Sequence, residues 1–292
     1  MGAMLRALRE HWPEYLCEAF GLGVFMVSAC SISVLLEYPG SPARQALPNA
    51  DLRRAFFGVG MGFTAMGIVY SPPGQRSGAH INPAVTLAFL YLRKIAAWDA
   101  VFYMPAQLLG GVLGVLLSWA IFPHALAHPA VRFVVTVPGD HGVLGALLTE
   151  LLISFVTLSV VLVVASIAKL ASYAGVATGV IVSLNVYFAA PLSGFGMNPA
   201  RSLSSALVAN VWTAWWVYVF APPLAMLAAA ELHARTRARA ARTPCAARNF
   251  ITVAKLPAFF VAFSQPTQRS TNLGSEPWRF AMWHFALLAS RA

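Results

Sequence analysis

The amino-acid sequence predicts an all-α membrane protein: six transmembrane helices and two re-entrant half-helices, laid out as an inverted repeat. Three observations carry this prediction. The composition is 59% hydrophobic and 10% charged over 292 residues, with a mean hydropathy of +0.68, whereas soluble chains carry about 25% charged residues. A ten-residue stretch occurs twice, as Ser77-Gly-Ala-His-Ile-Asn-Pro-Ala-Val-Thr86 and Ser193-Gly-Phe-Gly-Met-Asn-Pro-Ala-Arg-Ser202, 116 positions apart. Each copy follows two spanning segments and precedes a third. An odd number of crossings turns the second copy upside down relative to the first.

The elements follow in order. A first span runs from about Tyr15 to Leu36 and contains Glu18; its length is close to the roughly 20 residues a crossing helix needs. Pro39, Gly40, Pro42, Pro48 and Asn49 make 37–53 a loop. The second span, about Arg54 to Tyr70, carries Gly58, Gly60, Gly62 and Gly67, with Gly58 and Gly62 spaced for close helix contact. Ser71-Pro-Pro-Gly-Gln-Arg76 breaks it and leads to the first repeated stretch. There Asn82 reads as a helix N-cap and Pro83 as the first helical residue. The apolar run that follows, Val85 to Leu90, is too short to cross a bilayer.

A third span, about Trp98 to Ile121, contains Gln107, Gly110, Gly111 and Gly114. The linker 122–142 holds three prolines and three histidines. The second set of spans is then Leu144 to Ala168, with Glu150, and Ala171 to Ala190, with Asn185. The second half-helix starts at Asn198 and Pro199, and Trp212 to about Leu232 completes the set. The positive ends of the two half-helices are expected to face each other across a polar path inside the membrane. Glu18 precedes Asn82 by 64 positions and Glu150 precedes Asn198 by 48; the extra length in the first half is expected mainly in the loop at 37–53.

Charge gives orientation. Arg6, Arg9, Arg76, Arg93, Lys94, Lys169 and the run Arg235, Arg237, Arg239, Arg242 and Arg248 fall on one side if both termini are cytoplasmic, leaving Arg44, Arg53, Arg54 and Arg132 outside. The formal charge of +10 therefore reads as a cytoplasmic flank, and nucleic acid is not an expected partner. Membrane lipid is. Residues 234–292 read as a basic cytoplasmic tail, with 249–292 surface-lying and partly disordered. Cys17, Cys30 and Cys245 have no disulfide or metal spacing. Neither His80 nor Asn185 has a nucleophile or metal-ligand partner at sensible spacing, so no catalytic residue, metal or cofactor is expected.

Six spans with two Asn-Pro-Ala half-helices resemble the major intrinsic protein family, the aquaporins and glycerol facilitators. The resemblance covers roughly 12–233, with repeat one at about 12–121 and repeat two at about 143–233. It implies a bundle whose half-helices enter from opposite faces and meet at the centre, a homotetramer with one pore per subunit, a place in the plasma (inner) membrane, and passage of water and small uncharged solutes.

The resemblance also implies residue roles. Asn82 and Asn198 donate to a passing oxygen; Pro83, Ala84, Pro199 and Ala200 fix and fit the two helix starts. The residues before each Asn run extended and offer carbonyls to the pore: Gly78, Ala79 and His80 in one copy, Gly194, Phe195, Gly196 and Met197 in the other. Glu18 and Glu150 hold the backbone N–H groups of these loops. Arg201 belongs to the narrowest constriction, where a cation lines water and repels other cations. Counting from the motifs, the other members of that ring are Gly62, Val186 and Phe195, with Met61 or Phe63 as neighbours of the first. Gly62 and Val186 would open the ring where strict water channels place an aromatic and a His. Phe195 resembles the glycerol type, although Ser202 stands where that type commonly has Asp.

The leading reading is a passive channel for water and small neutral solutes that excludes protons and ions. A facilitator mainly for glycerol, urea or ammonia is the alternative. An ion-coupled secondary transporter would need carboxylates near the midplane, and only Glu18 and Glu150 are available.

Overall fold

The computed structural model describes residues 2–242, with side chains to 239, and among these the regular structure is helical. The expected tail beyond, with Cys245, Arg248 and the stretch 249–292, lies outside the described residues. In chain order the helices are α1 (Gly2–Glu37), α2 (Pro42–Ala46), α3 (Ala50–Tyr70), α4 (Pro72–Ser77), α5 (Pro83–Tyr91), α6 (Ala97–Ile121), α7 (Pro123–Ala127), α8 (Gly142–Ser166), α9 (Ala174–Ser193), α10 (Pro199–Ala209) and α11 (Trp215–Arg242). The crossing helices are α1, α3, α6, α8, α9 and α11; α5 and α10 are the half-helices. Five of the crossing helices are apolar enough to span a membrane by length and composition. The sixth, α3, is 21 residues long, but Arg53, Arg54 and four glycines dilute its hydropathy.

Helix ends differ from the sequence reading where apolar runs stop but helix formers continue. α1 begins at Gly2, because Met4 to Glu10 contains Leu, Arg, Ala and Glu, all good helix formers. α11 continues through the Arg-rich run to Arg242 for the same reason. The break after Tyr70 is real, but it also starts a helix. Ser71 ends α3, its hydroxyl accepts from Gly74 N at 3.1 Å, and Pro72 fills the first position of α4.

This short helix corrects the expected place of the extra length. Asn82 stands 12 positions after the end of α3, whereas Asn198 stands 5 after the end of α9. The loop from Glu37 to Ala50 exceeds its counterpart from Ser166 to Ala174 by less, 13 positions against 8. The largest single share of the 16 extra positions, 7, therefore lies at α4. Both elements nevertheless end alike: Ser77 and Ser193 are the last helical residues, and Gly78 and Gly194 follow in the left-handed region, at φ +86° and +75°.

Three helix pairs form the frame: α1 against α6, α3 against α9, and α8 against α11. Each half-helix packs on the last helix of the other repeat, α5 on α11 and α10 on α6. Backbone approach at two of the pairs demands glycine. A Cβ at Gly110 would lie 1.9 Å from the Ala19 carbonyl oxygen, and one at Gly62 would lie 2.4 Å from that of Gly179. Outward side chains such as Phe20, Leu109, Leu113, Leu152 and Phe188 are more than half exposed, an apolar surface that suits a bundle embedded in a membrane.

Candidate pore site

The two half-helix N-termini meet at the centre of the bundle. Asn82 caps α5 through Oδ1, which accepts from Ala84 N at 2.9 Å. Asn198 caps α10 in the same way, accepting from Ala200 N at 3.0 Å and Arg201 N at 3.2 Å. Pro83 and Pro199 occupy the first helical position, where the missing N–H costs nothing. Ala84 and Ala200 are fully buried at the junction. Each Asn amide then reaches into the other repeat. Asn82 Nδ2 donates to the Met197 carbonyl at 2.9 Å, and Asn198 Nδ2 donates to the Ile81 carbonyl at 2.7 Å. A primary amide has two N–H bonds, so one remains on each Asn.

The loops before the two Asn residues are not extended. Left-handed φ values occur at Gly78, Ala79 and Ile81 in the first and at Gly194, Phe195 and Met197 in the second. This conformation bundles successive N–H groups inward, where a buried carboxylate collects them. Glu18 accepts from His80 N (2.9 Å), Ile81 N (2.5 Å), Ser77 Oγ (2.7 Å) and Gln107 Nε2 (2.7 Å). Glu150 accepts from Gly196 N (2.7 Å), Met197 N (2.5 Å) and Ser193 Oγ (2.7 Å). Strain in the non-Gly left-handed residues is thus balanced by charge-assisted hydrogen bonds. A side chain at Gly196 would strike Tyr218, 2.6 Å from its Cβ position. Among the carbonyls expected to face the pore, that of Met197 is engaged by Asn82.

A cavity of about 140 Å³ runs from Val69 and Ala174, at the end of the bundle where α1 begins, to Asn82, Asn198 and Phe195. Gly78, Ala79, His80, Gly196 and Met197 also line it. Its wall is otherwise largely apolar, with Phe25, Ala65, Val85, Phe89 and Val182. His80 is held against Phe89 and Tyr103, with ring centroids 4.8 and 5.4 Å away.

Arg201 lies beyond the Asn pair. It holds in α10 the place that Val85 holds in α5, three residues after the Asn, so the two ends of the site differ by one cation. Arg201 is buried, and its Nη1 has no hydrogen-bond partner among the described residues. Val186 and Phe195 are buried in one apolar cluster with Met61. Gly62 packs against α9, the helix that carries Val186, and a Cβ there would stand 2.0 Å from Ser183 Oγ. Met61, one of the two neighbours named from the sequence, shares the cluster; Phe63, the other, is 66% exposed.

Several residues of the site were not singled out from the sequence. Ile81 supplies an acceptor carbonyl. Tyr103 and Tyr218 donate to the carbonyls of Ser77 and Ser193, each at 2.8 Å. They follow Asn82 and Asn198 by 21 and 20 positions, so aligning the repeats one helix further would have paired them. Gln107 bridges Glu18 and Thr86 and has no amide counterpart in the second repeat.

Comparison with known proteins agrees with this geometry. The family model of the major intrinsic proteins matches residues 6–233. A probable aquaporin of NIP type from Nicotiana alata is 37% identical over 60% of this chain and 63% of its own length; for a putative aquaporin, NIP4-1 of Arabidopsis thaliana, the figures are 38%, 58% and 58%. This chain thus spans about three fifths of the length of those relatives. Aquaporin NIP2-3 of Zea mays is 32% identical over 78% of this chain and 73% of its own. The fold matches that of the aquaglyceroporin from Plasmodium falciparum with a TM-score of 0.67, at 17% identity, over 79% of this chain and 98% of that one. The chain belongs to the major intrinsic protein family and is an integral membrane protein.

Proposed function

We propose that the protein is a passive channel for water and small neutral solutes that excludes protons and ions. The observation that carries this reading is the reciprocal Asn arrangement. Each of Asn82 and Asn198 spends one N–H on the opposite loop and keeps one for the lumen. A water at the centre accepts both, so its oxygen turns toward the Asn pair. Its hydrogens then point away along the pore in both directions, and no chain of like-oriented hydrogen bonds passes the midpoint. The two positive helix ends repel a proton or any other cation at the same place.

The opposite wall, apolar at Phe25, Ala65 and Val182, offers water few partners, which favours passage over binding. Arg201 adds a second positive charge outside the Asn pair and, through its free Nη1 donor, a contact for a polar solute. Val186, Phe195 and Arg201, with Met61 in place of Gly62, are the residues of the proposed constriction. Glu18 and Glu150 are scaffold that hold the loops. No chemical transformation is part of this function. The active form is a homotetramer with one pore per subunit in the plasma (inner) membrane, both termini cytoplasmic.

A glycerol-type facilitator is the second reading, favoured by Phe195 on the cavity and by the apolar wall; the fold neighbour is an aquaglyceroporin. Stopped-flow light scattering on reconstituted vesicles separates the two. Fast shrinkage under an impermeant osmolyte, without dissipation of an imposed proton gradient, is expected. Re-swelling in glycerol or urea marks the facilitator, and its absence marks a water channel. Proton leakage above that of protein-free vesicles would overturn the central mechanism.

A further inference from the structure

The cavity wall contributed by α8 and α9 carries two hydroxyls, Thr157 and Thr178, among apolar Leu158, Val161 and Val182. The two are used differently. Thr178 Oγ1 donates to the Ala174 carbonyl of its own helix at 2.9 Å, which is how a membrane helix usually hides a hydroxyl. Thr157 makes no such bond among the described residues. Its Oγ1 instead accepts from Asn185 Nδ2 at 2.8 Å.

The second N–H of Asn185 faces Met197 Sδ at 3.8 Å. A thioether accepts and does not donate, so this contact fixes which end of the amide is nitrogen. Both N–H groups of Asn185 are then committed. The Thr157 oxygen is held as an acceptor on one side, and its hydrogen is left for the lumen. Met197 ties the arrangement to the pore centre, because its carbonyl accepts from Asn82. Both Thr157 and Asn185 are more than nine-tenths buried, so the pair is built into the wall.

We propose that Thr157, positioned by Asn185, is a second polar station of the pore, specific for small solutes with two or more hydroxyl oxygens. The proposal rests on the channel reading. Asn82 and Asn198 offer their remaining N–H groups to one oxygen. A water or a monohydric solute is satisfied there and gains nothing at Thr157. A diol or triol places one oxygen on the Asn pair and a second on the Thr157 hydroxyl. That second bond lowers the cost of stripping its hydration in an otherwise apolar tube.

The test uses the full chain in vesicles and reads the ratio of ethylene glycol and glycerol permeability to water permeability. Thr157→Val keeps the shape and removes the hydroxyl; the ratio is expected to fall about fivefold, the weight of one neutral hydrogen bond. Thr157→Ser restores it. Asn185→Leu lowers it as well, because Thr157 then turns to the carbonyl of its own preceding turn; this variant carries the test if Val at 157 does not insert. A ratio within twofold of the parent in Thr157→Val overturns the station, as does a Ser variant that falls as far as Val. Fast water flux with no diol flux in the parent protein overturns the station and leaves the channel standing. Parent vesicles no faster than protein-free ones overturn both.

Discussion

Gly62 and Gly179 sit back to back where α3 crosses α9, each placed so that a Cβ would meet the other's carbonyl oxygen, at 2.4 and 2.7 Å. Each is the second member of a Gly-xxx-Gly pair, with Gly58 and Gly175 one turn earlier. A large side chain at Gly62 therefore wedges the two helices apart and does not narrow a pore. Gly62→Leu is expected to lower stability by about 3 kcal/mol, the upper range for overpacking. Thermal unfolding in detergent measures it. An unchanged melting temperature with reduced solute flux would put Gly62 on the lumen.

Met61 and Ala65 are the buried α3 residues that share a cluster with Val186 and Phe195, and Met61 is the larger. Met61→Ala is expected to raise glycerol permeability relative to water, with the helix crossing intact. Phe195→Ala should act in the same direction, since both remove bulk from one constriction. Equal ratios in parent and variants, measured by vesicle re-swelling, would place the narrowing elsewhere.

Arg201 is a buried cation with an unpartnered donor. Replacing it with Val gives α10 the residue α5 carries at the matching place, Val85, and removes the asymmetry between the two ends. Arg201→Val is expected to raise proton or cation leakage at least several-fold. A fluorescent pH indicator trapped in vesicles reads this directly. No increase in either leak would show that Arg201 does not face the conducting path.

Glu18 and Glu150 each gather the N–H groups of a loop that would otherwise leave buried donors unpaired. Glu→Gln at either place puts an amide NH₂ where donors converge. A loss of about 3 kcal/mol is expected for each, from at least one broken charge-assisted bond and the unpaired donor left behind. Glu18→Gln should retain more folded protein than Glu150→Gln, because Gln107 can re-pair with the new amide. Detergent-solubilised melting curves compare the two, and the reverse order would count against the role given to Gln107.

The sequence made the half-helices legible because Asn followed by Pro encodes a helix start by itself. The readings of α5 from Asn82 and of α10 from Asn198 needed no tertiary knowledge. Glu18 and Glu150 stood out because a carboxylate in an apolar run demands partners. What stayed hidden depended on register or on backbone handedness. Pro72 and Pro73 end one helix and start another, and the close packing of Gly62 on Gly179 is not visible from a count along the chain. The left-handed residues Ala79, Ile81, Phe195 and Met197 are not Gly or Asn. Nothing in their side chains signals φ > 0; the carboxylates behind them impose it. Thr157 and Asn185 lie 28 positions apart on different helices and meet only in three dimensions.

The cross-repeat bonds of Asn82 and Asn198 have a consequence for the order of assembly. The partners lie 115 and 117 positions apart, and each half-helix packs on the final helix of the other repeat. While the ribosome is still making α11, α5 has no finished surface to lie on, and Asn82 has no acceptor until Met197 has been inserted. The first half-helix therefore waits, shallow or incompletely docked, until the chain is nearly complete. Closure of the two halves around one another is then a late event, and a protein truncated before α11 leaves α5 without that surface while α10 keeps α6.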